Sequence, residues 1–325
     1  MKILYALQGT GNGHVARANE LIPKFKQAAE VDVFVSGNNT QLPLDGFYKQ
    51  NKGLSLFYSK KGGLDYKKII VKNSLTQFSR AVINFPIHEY DLIINDYEPI
   101  TAYAAKWHRK KIIGLSHQAA IFYDNVPKPP GKHPVSKLIF KKYAPTDISY
   151  GFHFQKYHDD IFYPILRQQI KQLDAVTDFY FLVYLPSFND AVLQEILTQI
   201  PEVNWLIFSP FKKNSERYLN LFFYPIDQEM FFKKLAAARG VLCGAGFEFP
   251  AEVLHLKKML HIIPIKGQFE QYCNYAALTK MGVSGSEDLN VSKIRDWIDS
   301  QKIITVDFED ESEKIIEKVL KNNPA

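Results

Sequence analysis

Two glycine-rich turns, one in each half of the chain, constrain the fold more than any other feature of the sequence. The first turn is Gln8-Gly-Thr-Gly-Asn-Gly-His14, and it follows an apolar stretch at residues 3–7. The second turn, at residues 244–247, follows the apolar stretch 241–243, and both turns lead into helical patterns. A strand, a glycine turn and a helix in that order form the opening unit of a parallel sheet covered by helices. A chain of 325 residues is long for one hydrophobic core, so the sequence predicts an α/β fold with two such domains.

Short apolar runs alternate with helical patterns along both halves. In the first half we predict strands at residues 3–7, 31–35, 54–58, 92–95, 111–115 and 149–154. In the second half we predict strands at 180–185, 205–208, 221–224, 241–243, 260–263 and 303–306, and helices at 191–199, 228–238, 249–256, 270–281, 291–300 and 311–321. The linker falls at 163–178, which gives domains at 1–165 and 166–325, and the last helix is expected to pack back on the first domain.

Composition and charge limit the classes of protein to which the sequence can belong. The net charge of +6 suits phosphate-bearing ligands but falls short of a nucleic-acid-binding surface, so we expect no nucleic-acid partner. Cys243 and Cys273 show neither metal-type nor disulfide spacing, which favours a reducing, cytoplasmic compartment. The apolar N-terminal stretch is too short for a signal sequence, and no run reaches the length of a membrane-spanning helix.

The first glycine turn favours a ligand near its backbone, because glycines allow close approach and helix N-terminal amides attract negative charge. A dinucleotide-binding fingerprint is disfavoured, since His14 stands where its third glycine is needed and Ser36-Gly37 stands where its acid is needed. A P-loop would also need a following Lys-Ser/Thr pair, which is missing. A tight turn without a ligand remains the alternative. His14 can exchange a proton near neutral pH, or it can simply cap the helix.

The second glycine turn is suited to a diphosphate. The backbone amides of residues 244–247 can face an anion at a helix start, and Glu252, about one turn into the helix, can accept hydrogen bonds from ribose hydroxyls. Glu270 and Gln271 begin the next helix and would face the same crevice. Acids at helix starts can also serve only the helix dipole, and for Glu248 we adopt that interpretation.

These motifs resemble those of known sugar-transferring enzymes. Residues 243–274 resemble the donor-binding core of GT-B glycosyltransferases, in which two Rossmann-like domains face each other across a cleft. The loop Gly9-Thr-Gly-Asn-Gly-His-Val15 is similar to the Gly-Thr-Gly-Gly-His-Val loop of the group containing the peptidoglycan lipid I N-acetylglucosaminyltransferases and the diacylglycerol glycosyltransferases. An uncharacterised group of predicted bacterial and archaeal glycosyltransferases is also similar.

The resemblance implies roles for the donor half. Glu252 would grip the donor ribose, and Arg167 would contact phosphate at the domain junction. The resemblance also implies a diphosphate turn at Ala245 and Gly246, within the segment Gly244–Phe247 whose amides we expect to face the anion. It further implies hydroxyl-binding residues of the donor sugar at Glu270 and Gln271, and a base-reading segment at Ile226 and Asp227.

The resemblance also implies roles for the acceptor half. His14 would be the catalytic base, paired with Asp96 after a later strand. The acceptor-side loops would contain Gly9, Thr10, Gly11, Gly13 and His117. The stretches 95–99 and 116–120 differ from the peptidoglycan enzyme's acceptor loops, which argues against that acceptor.

Two further segments leave alternatives open. Asp96-Tyr-Glu98 could be the acidic metal motif of the other glycosyltransferase fold, but two glycine turns fit that single-domain fold poorly, so we expect no metal and no cofactor. The segment Lys137-Leu138-Ile139-Phe140 is either a peripheral contact with an anionic membrane on the inner face of the plasma membrane or a solvated helix with one face on the core.

Taken together, the motifs predict an inverting, metal-independent glycosyltransferase. It would move a hexose or N-acetylhexosamine from a nucleoside diphosphate sugar, with uridine as the favoured nucleoside, to a glycan or lipid-linked acceptor. The alternatives are a sugar-nucleotide epimerase on the same fold and a non-catalytic nucleotide-sugar-binding protein.

Overall fold

The computed structural model describes residues 1–9, 12–37, 44, 49–51, 74–131 and 134–321. Within these residues the chain forms two seven-stranded sheets with helices packed on them, so the predicted α/β class is confirmed. The predicted strand at 54–58, together with Thr10 and Gly11 of the first glycine turn, lies outside the described residues.

The first sheet is parallel and has the strand order β3-β2-β1-β4-β5-β6-β7. Its central strands β1 and β4 are apolar on both faces and buried, as a parallel sheet covered by helices requires. The strands are Lys2–Gln8 (β1), Glu30–Ser36 (β2), Lys49–Asn51 (β3), Leu92–Asp96 (β4), Ile113–Ser116 (β5), Ile148–Phe152 (β6) and Ile161–Phe162 (β7). The helices of this half are Asn12–Ala28 (α1), Leu75–Ile83 (α2), Pro99–Trp107 (α3), His117–Ala120 (α4) and Pro134–Tyr143 (α5), with a 3-10 turn at Ile87–Glu89.

The second sheet has the order β10-β11-β9-β8-β12-β13-β14 and is parallel except for β10. A short helix, Gln168–Lys171 (α6), precedes it. Its strands are Tyr180–Tyr184 (β8), Asn204–Phe208 (β9), Glu216–Tyr218 (β10), Leu221–Tyr224 (β11), Gly240–Gly244 (β12), Met259–Ile263 (β13) and Ser284–Gly285 (β14). Its helices are Asp190–Leu197 (α7), Gln228–Ala237 (α8), Glu248–His255 (α9), Phe269–Lys280 (α10) and Val291–Ser300 (α11), and the last helix of the chain is Ser312–Lys321 (α12).

Each sheet has a point at which the strand order reverses. In the first sheet this point lies between β1 and β4, and in the second between β8 and β12. Ligands of open α/β sheets bind outside the carboxyl ends of the strands at such points. Leu7 pairs with Asp96, so the first glycine turn and the end of β4 leave the sheet side by side.

The two halves share a continuous apolar core. One cluster of buried side chains contains Phe154 from the first half and Phe247 from the second, whose ring centroids are 4.9 Å apart. Helix α12 lies against α1, where Lys24 forms an ion pair with Glu313. Among the described residues, no helix is both long and apolar enough to cross a membrane.

One predicted strand is wrong. Residues 303–306 are irregular, although their side chains alternate between exposed and partly buried positions as in a strand. Ile304 and Val306 pack against the core, but the edge of the second sheet beside β13 is already taken by β14. The alternating pattern therefore marks an extended segment that covers the core without pairing. The short strands β7, β10 and β14 were not predicted, since two or three residues carry no recognisable period.

Candidate active site

His14 and Asp96 meet at the reversal point of the first sheet. His14 is in the first turn of α1, and its Nδ1 lies 2.8 Å from Oδ1 of Asp96, the last residue of β4. The Asp96 side chain is fully buried. Burial raises the pKa of this carboxyl, but Arg17 and His14 lower it by more, so the pKa lies below its ordinary value and Asp96 is ionised. An ionised carboxylate only accepts hydrogen bonds, so Nδ1 of His14 donates and Nε2 is left to accept a proton.

His14 is a stronger base than an isolated histidine. Its side chain is 12% exposed. Burial lowers its pKa, but the hydrogen bond and charge of Asp96 raise it by more, and the net direction is upward. The structure thus brings together the two residues that the sequence predicted as a catalytic pair, in a geometry suited to general base catalysis.

Arg17 completes this cluster and was not predicted. It lies three residues after His14 on the same face of α1, and its side chain is only 1% exposed. Its Nη2 lies 2.7 Å from Oδ1 and 2.8 Å from Oδ2 of Asp96, and its Nη1 donates to Glu248 at the start of α9. Glu248, which we had assigned to the helix dipole alone, is therefore also an ion-pair partner of the first half. The spacing His14-x-x-Arg17 was the one sequence signal that could have pointed to Arg17.

Close packing explains why glycine occupies two positions of the first turn. A Cβ on Gly9 would lie 2.8 Å from Cγ1 of Val35, and the Gly9 amide donates to the carbonyl of Ser36. A Cβ on Gly13 would overlap with the carboxylate of Glu248. These glycines therefore let the first turn pack closely against β2 and against the other half of the molecule.

The second glycine turn lies between β12 and α9. Gly244 ends β12, and Phe247 is the N-cap residue of α9. The amide of Ala245 is not directed at the crevice, because it donates to the carbonyl of Ile263, 3.0 Å away. This corrects the expectation that the whole turn offers amides to a ligand. At Gly246 a Cβ would meet no atom within 4 Å, so protein packing does not require this glycine and its backbone is open to close approach.

His117 closes the cleft opposite the second turn. Its ring stacks on Phe247 with a centroid distance of 3.8 Å and an interplanar angle of 4°. Its Nε2 lies 2.7 Å from Oδ1 of Asn274, in α10 of the other half. Burial lowers the pKa of His117, and its Nδ1 lies 2.8 Å from the carbonyl oxygen of Phe152, so the ring is held as a contact between the halves.

The predicted sugar-binding pair also lies at this junction. Glu270 accepts a hydrogen bond from Nε2 of Gln118 in the first half, at 3.0 Å. Gln271 is nearly buried, and its Oε1 accepts from the amide of Ile265 at 2.8 Å, which braces the loop after β13. Gln118 was not predicted, since nothing local distinguishes it from other polar residues near a strand end.

Arg167 and Glu252 form a bidentate ion pair. Nε and Nη2 of Arg167 each lie 2.6 Å from one oxygen of the Glu252 carboxylate. Glu252 is 2% exposed, and Arg167 also packs over the ring of Phe232. The two residues that the resemblance assigned to ribose and phosphate are thus held by one another.

The predicted base-reading segment, Ile226 and Asp227, follows β11. Strand β11 is three positions from β12 in the sheet, a distance of about 14 Å. Asp227 is the N-cap of α8, and its Oδ1 accepts from the amide of Met230 at 2.8 Å. The segment therefore lies at the same edge of the sheet as the second turn, with the Asp227 side chain engaged in capping.

The two carboxylates of the acidic motif at the end of β4 already form hydrogen bonds and ion pairs within the protein. Both carboxylate oxygens of Glu98 accept hydrogen bonds at the start of α3, from the amides of Ile100 and Thr101. Asp96 is held by His14 and Arg17. Across the part of the chain that the structure describes, no three His, Cys, Asp or Glu side chains are grouped so as to hold a metal ion.

Helix α5 presents part of the predicted membrane segment to solvent. Leu138 and Ile139 are more than half exposed, and Lys137 is exposed beside them. Phe140 is turned inward, and its ring centroid lies 5.7 Å from that of Phe269 in the second half. Phe140 is therefore not available for a membrane contact, which corrects that part of the prediction.

The sequence matches one protein family over most of its length. The profile of glycosyl transferase family 1 covers residues 1–301. No curated protein matches the sequence significantly.

Several solved structures are similar over nearly the whole chain. MurG from Acinetobacter baumannii has a TM-score of 0.59 at 13% identity, over 99% of this chain and 100% of that one. UGT2 of Phytolacca americana, in complex with UDP-2-fluoro-glucose and pterostilbene, has a TM-score of 0.58 at 11% identity, over 98% and 93%. The glycosyltransferase SsfS6 of Streptomyces sp. SF2575, complexed with thymidine diphosphate, has a TM-score of 0.55 at 13% identity, over 99% of each chain. At these identities the likeness shows the fold alone.

Proposed function

Since the chain belongs to glycosyl transferase family 1 and is therefore a glycosyltransferase, we propose that it catalyses an inverting, metal-independent transfer. The predicted GT-B architecture is confirmed by the two sheets and by the similar structures. The donor in this proposal is a nucleoside diphosphate sugar, with uridine as the nucleoside and a hexose or N-acetylhexosamine as the sugar. The acceptor is a glycan or a lipid-linked molecule.

The observation on which the proposal rests is the pair His14–Asp96 at the reversal point of the first sheet. In the proposed reaction an acceptor hydroxyl gives its proton to Nε2 of His14 while its oxygen attacks the anomeric carbon. The bond from that carbon to the diphosphate oxygen breaks, and its electron pair leaves with the diphosphate. A single displacement of this kind inverts the anomeric configuration. A well-placed general base accelerates such a step by about a hundred- to ten-thousand-fold.

The diphosphate is proposed to leave against the second glycine turn. The open backbone at Gly246 and the start of α9 favour an anion there. Glu248 in the first turn of α9 would oppose an anion, and its ion pair with Arg17 offsets part of that charge. Because helix amides can stabilise the departing charge, and because Asp96 and Glu98 are already engaged, the proposal needs no metal ion.

The rest of the donor is assigned to the second half. We propose that Glu270 and Gln271 bind hydroxyls of the donor sugar, and that Ile226 and the backbone of Asp227 read the base. Glu252 would hold the ribose while Arg167 keeps its carboxylate in place, since the oxygens of a carboxylate can accept further hydrogen bonds. The thymidine diphosphate complex of SsfS6 supports a nucleoside diphosphate as a ligand, and we assign it to the second half because of the second glycine turn. The division between halves is proposed to fall at residues 165–166.

The exposed part of α5 supports a lipid-linked acceptor. Leu138 and Ile139 lie beside Lys137 on the solvent side of the helix, an arrangement that suits contact with an anionic membrane surface. Cys243 and Cys273 are both free and buried, which is compatible with a reducing compartment. We therefore propose that the enzyme acts in the cytoplasm, at the inner face of the plasma membrane.

The proposal is tested by incubating the protein, in EDTA, with UDP-, GDP- and dTDP-sugars, with and without glycan or lipid acceptors. We expect acceptor-dependent release of the nucleoside diphosphate and a product of inverted anomeric configuration. An epimerised nucleotide sugar formed without acceptor would identify an epimerase instead, and binding without turnover would identify a binding protein. Activity that vanishes in EDTA and returns with manganese would contradict metal independence.

A further inference from the structure

Arg17 joins the catalytic pair of one half to the donor helix of the other. The guanidinium is planar and has five N–H groups, so it can hold two carboxylates in fixed directions. Here Nη2 and Nε donate to Asp96, and Nη1 donates to Glu248. Arg17 Nη2 also lies 3.2 Å from His14 Nδ1, but its protons are directed to Asp96. No other contact described above connects His14 to the second half so directly.

Two independent features indicate that this contact is built into the fold. Arg17 is 1% exposed, and a buried guanidinium is tolerated only when its charge is compensated. Gly13, one residue before His14, leaves the space that the Glu248 carboxylate occupies. Gly13 is the second residue of α1, so the absence of a side chain there makes room for this contact at the start of the helix.

The net charge of the cluster depends on Glu248, which comes from the second half. The groups that face it are Asp96 from β4, Arg17 from α1 and Glu248 from α9, with the neutral phenol of Tyr5 from β1. With Glu248 in place, two carboxylates face one guanidinium, so a proton on His14 makes the cluster neutral. If the Glu248 carboxylate alone were neutralised in this structure, the same proton would leave a net positive charge in a buried site, which is costly.

We propose that Arg17 is a positioning residue that holds Asp96 beside His14, and that Glu248 of the second half offsets the charge of Arg17, so that His14 is a more effective base when Glu248 contacts Arg17. This inference rests on the proposed function for its catalytic meaning, because it assumes that His14 takes the acceptor's proton. The predicted effect of Glu248 on the pKa of His14 does not depend on sugar transfer. The charge of Arg17 lowers the pKa of His14 and the charge of Glu248 raises it, in agreement with the proposal.

The proposal is tested by NMR titration of the His14 imidazole in the substrate-free protein. In Glu248→Gln we expect the pKa of His14 to fall by about 0.5 to 1, since one nearby opposite charge is lost. Gly13→Ala should lower it in the same direction without removing any charge, because the added methyl displaces Glu248. Glu313→Gln, which removes the ion pair of Lys24 on the same helix, is the control and should leave the His14 pKa unchanged.

The proposed coupling and the proposed function can be contradicted independently. If the His14 pKa in both Glu248→Gln and Gly13→Ala equals that of the wild type, the proposed coupling is wrong even if the protein transfers sugar. If the pKa falls in both variants but no transfer is found, the coupling stands and the proposed function is wrong. Where transfer is observed, the acid limb of the kcat/KM profile of Glu248→Gln should move to lower pH with the His14 pKa, a change that a merely structural contact would not produce.

Discussion

At the scale of the residue, the proposed mechanism makes the reactivity of the cleft depend on the protonation state of His14. The proposed base must be neutral, so activity should be lost as the pH falls through the pKa of His14. Burial lowers this pKa, but Asp96 raises it by more, to above the ordinary value of 6.5. The acid limb of the kcat/KM profile should therefore lie above pH 6.5, and a steady-state pH series measures it.

The matched variant for this prediction is Asp96→Asn. It should lower kcat and move the acid limb to lower pH, because the carboxylate that raises the His14 pKa is gone. An acid limb at the same pH in wild type and Asp96→Asn would show that another group titrates.

Some of these residues could be predicted from the sequence and others could not. His14 and Asp96 each follow a buried apolar strand, and the ends of parallel strands meet at one edge, so local pattern and sheet geometry suffice. Arg17 and Glu248 meet only because the two halves face each other in one particular orientation. No local period encodes that orientation, and the same is true of Gln118 and Glu270.

At the scale of the element, α9 combines a start that we propose faces the diphosphate with a buried ion pair one turn later. Strands β1, β4, β12 and β13 were predicted to within one or two residues, because both of their faces are buried and their composition is continuously apolar. For residues 303–306 the same reasoning predicted a strand that does not form. Their period of two is real, but pairing also needs a free sheet edge, which is a property of the assembled sheet.

The ion pair of α9 gives a stability prediction. Glu252→Ala leaves the largely buried Arg167 without its counter-ion, so the free energy of unfolding should fall by about 3 kcal/mol. Nucleoside diphosphate affinity should fall as well. Urea denaturation and calorimetric titration with UDP and GDP measure the two effects. Glu229→Ala, at an exposed position of α8, is the control and should change stability by less than about 0.5 kcal/mol. A Glu252→Ala protein as stable as the wild type would mean that the pair contributes nothing.

At the scale of the whole molecule, the two halves divide the work and interlock at the cleft. In the proposed mechanism the first half is assigned the base and the second half the donor. Contacts across the junction include Arg17 with Glu248, His117 with Phe247 and Gln118 with Glu270. Each of these pairs involves a residue next to a glycine turn or at a helix start. Two domains and their motifs were predictable from the chain alone, whereas the pairs that lock them required the structure.

The assignment of the base to the first half and of the donor to the second is tested most directly by comparing His14→Ala with the wild type. Turnover is measured with the active donor and acceptor, and the affinity for the matching nucleoside diphosphate is measured by calorimetry. We predict that turnover falls by about a hundred- to ten-thousand-fold while the affinity is nearly unchanged, because the base and the donor belong to different halves. A His14→Ala protein that retains turnover but no longer binds the nucleoside diphosphate would contradict the account, since His14 would then belong to a phosphate site.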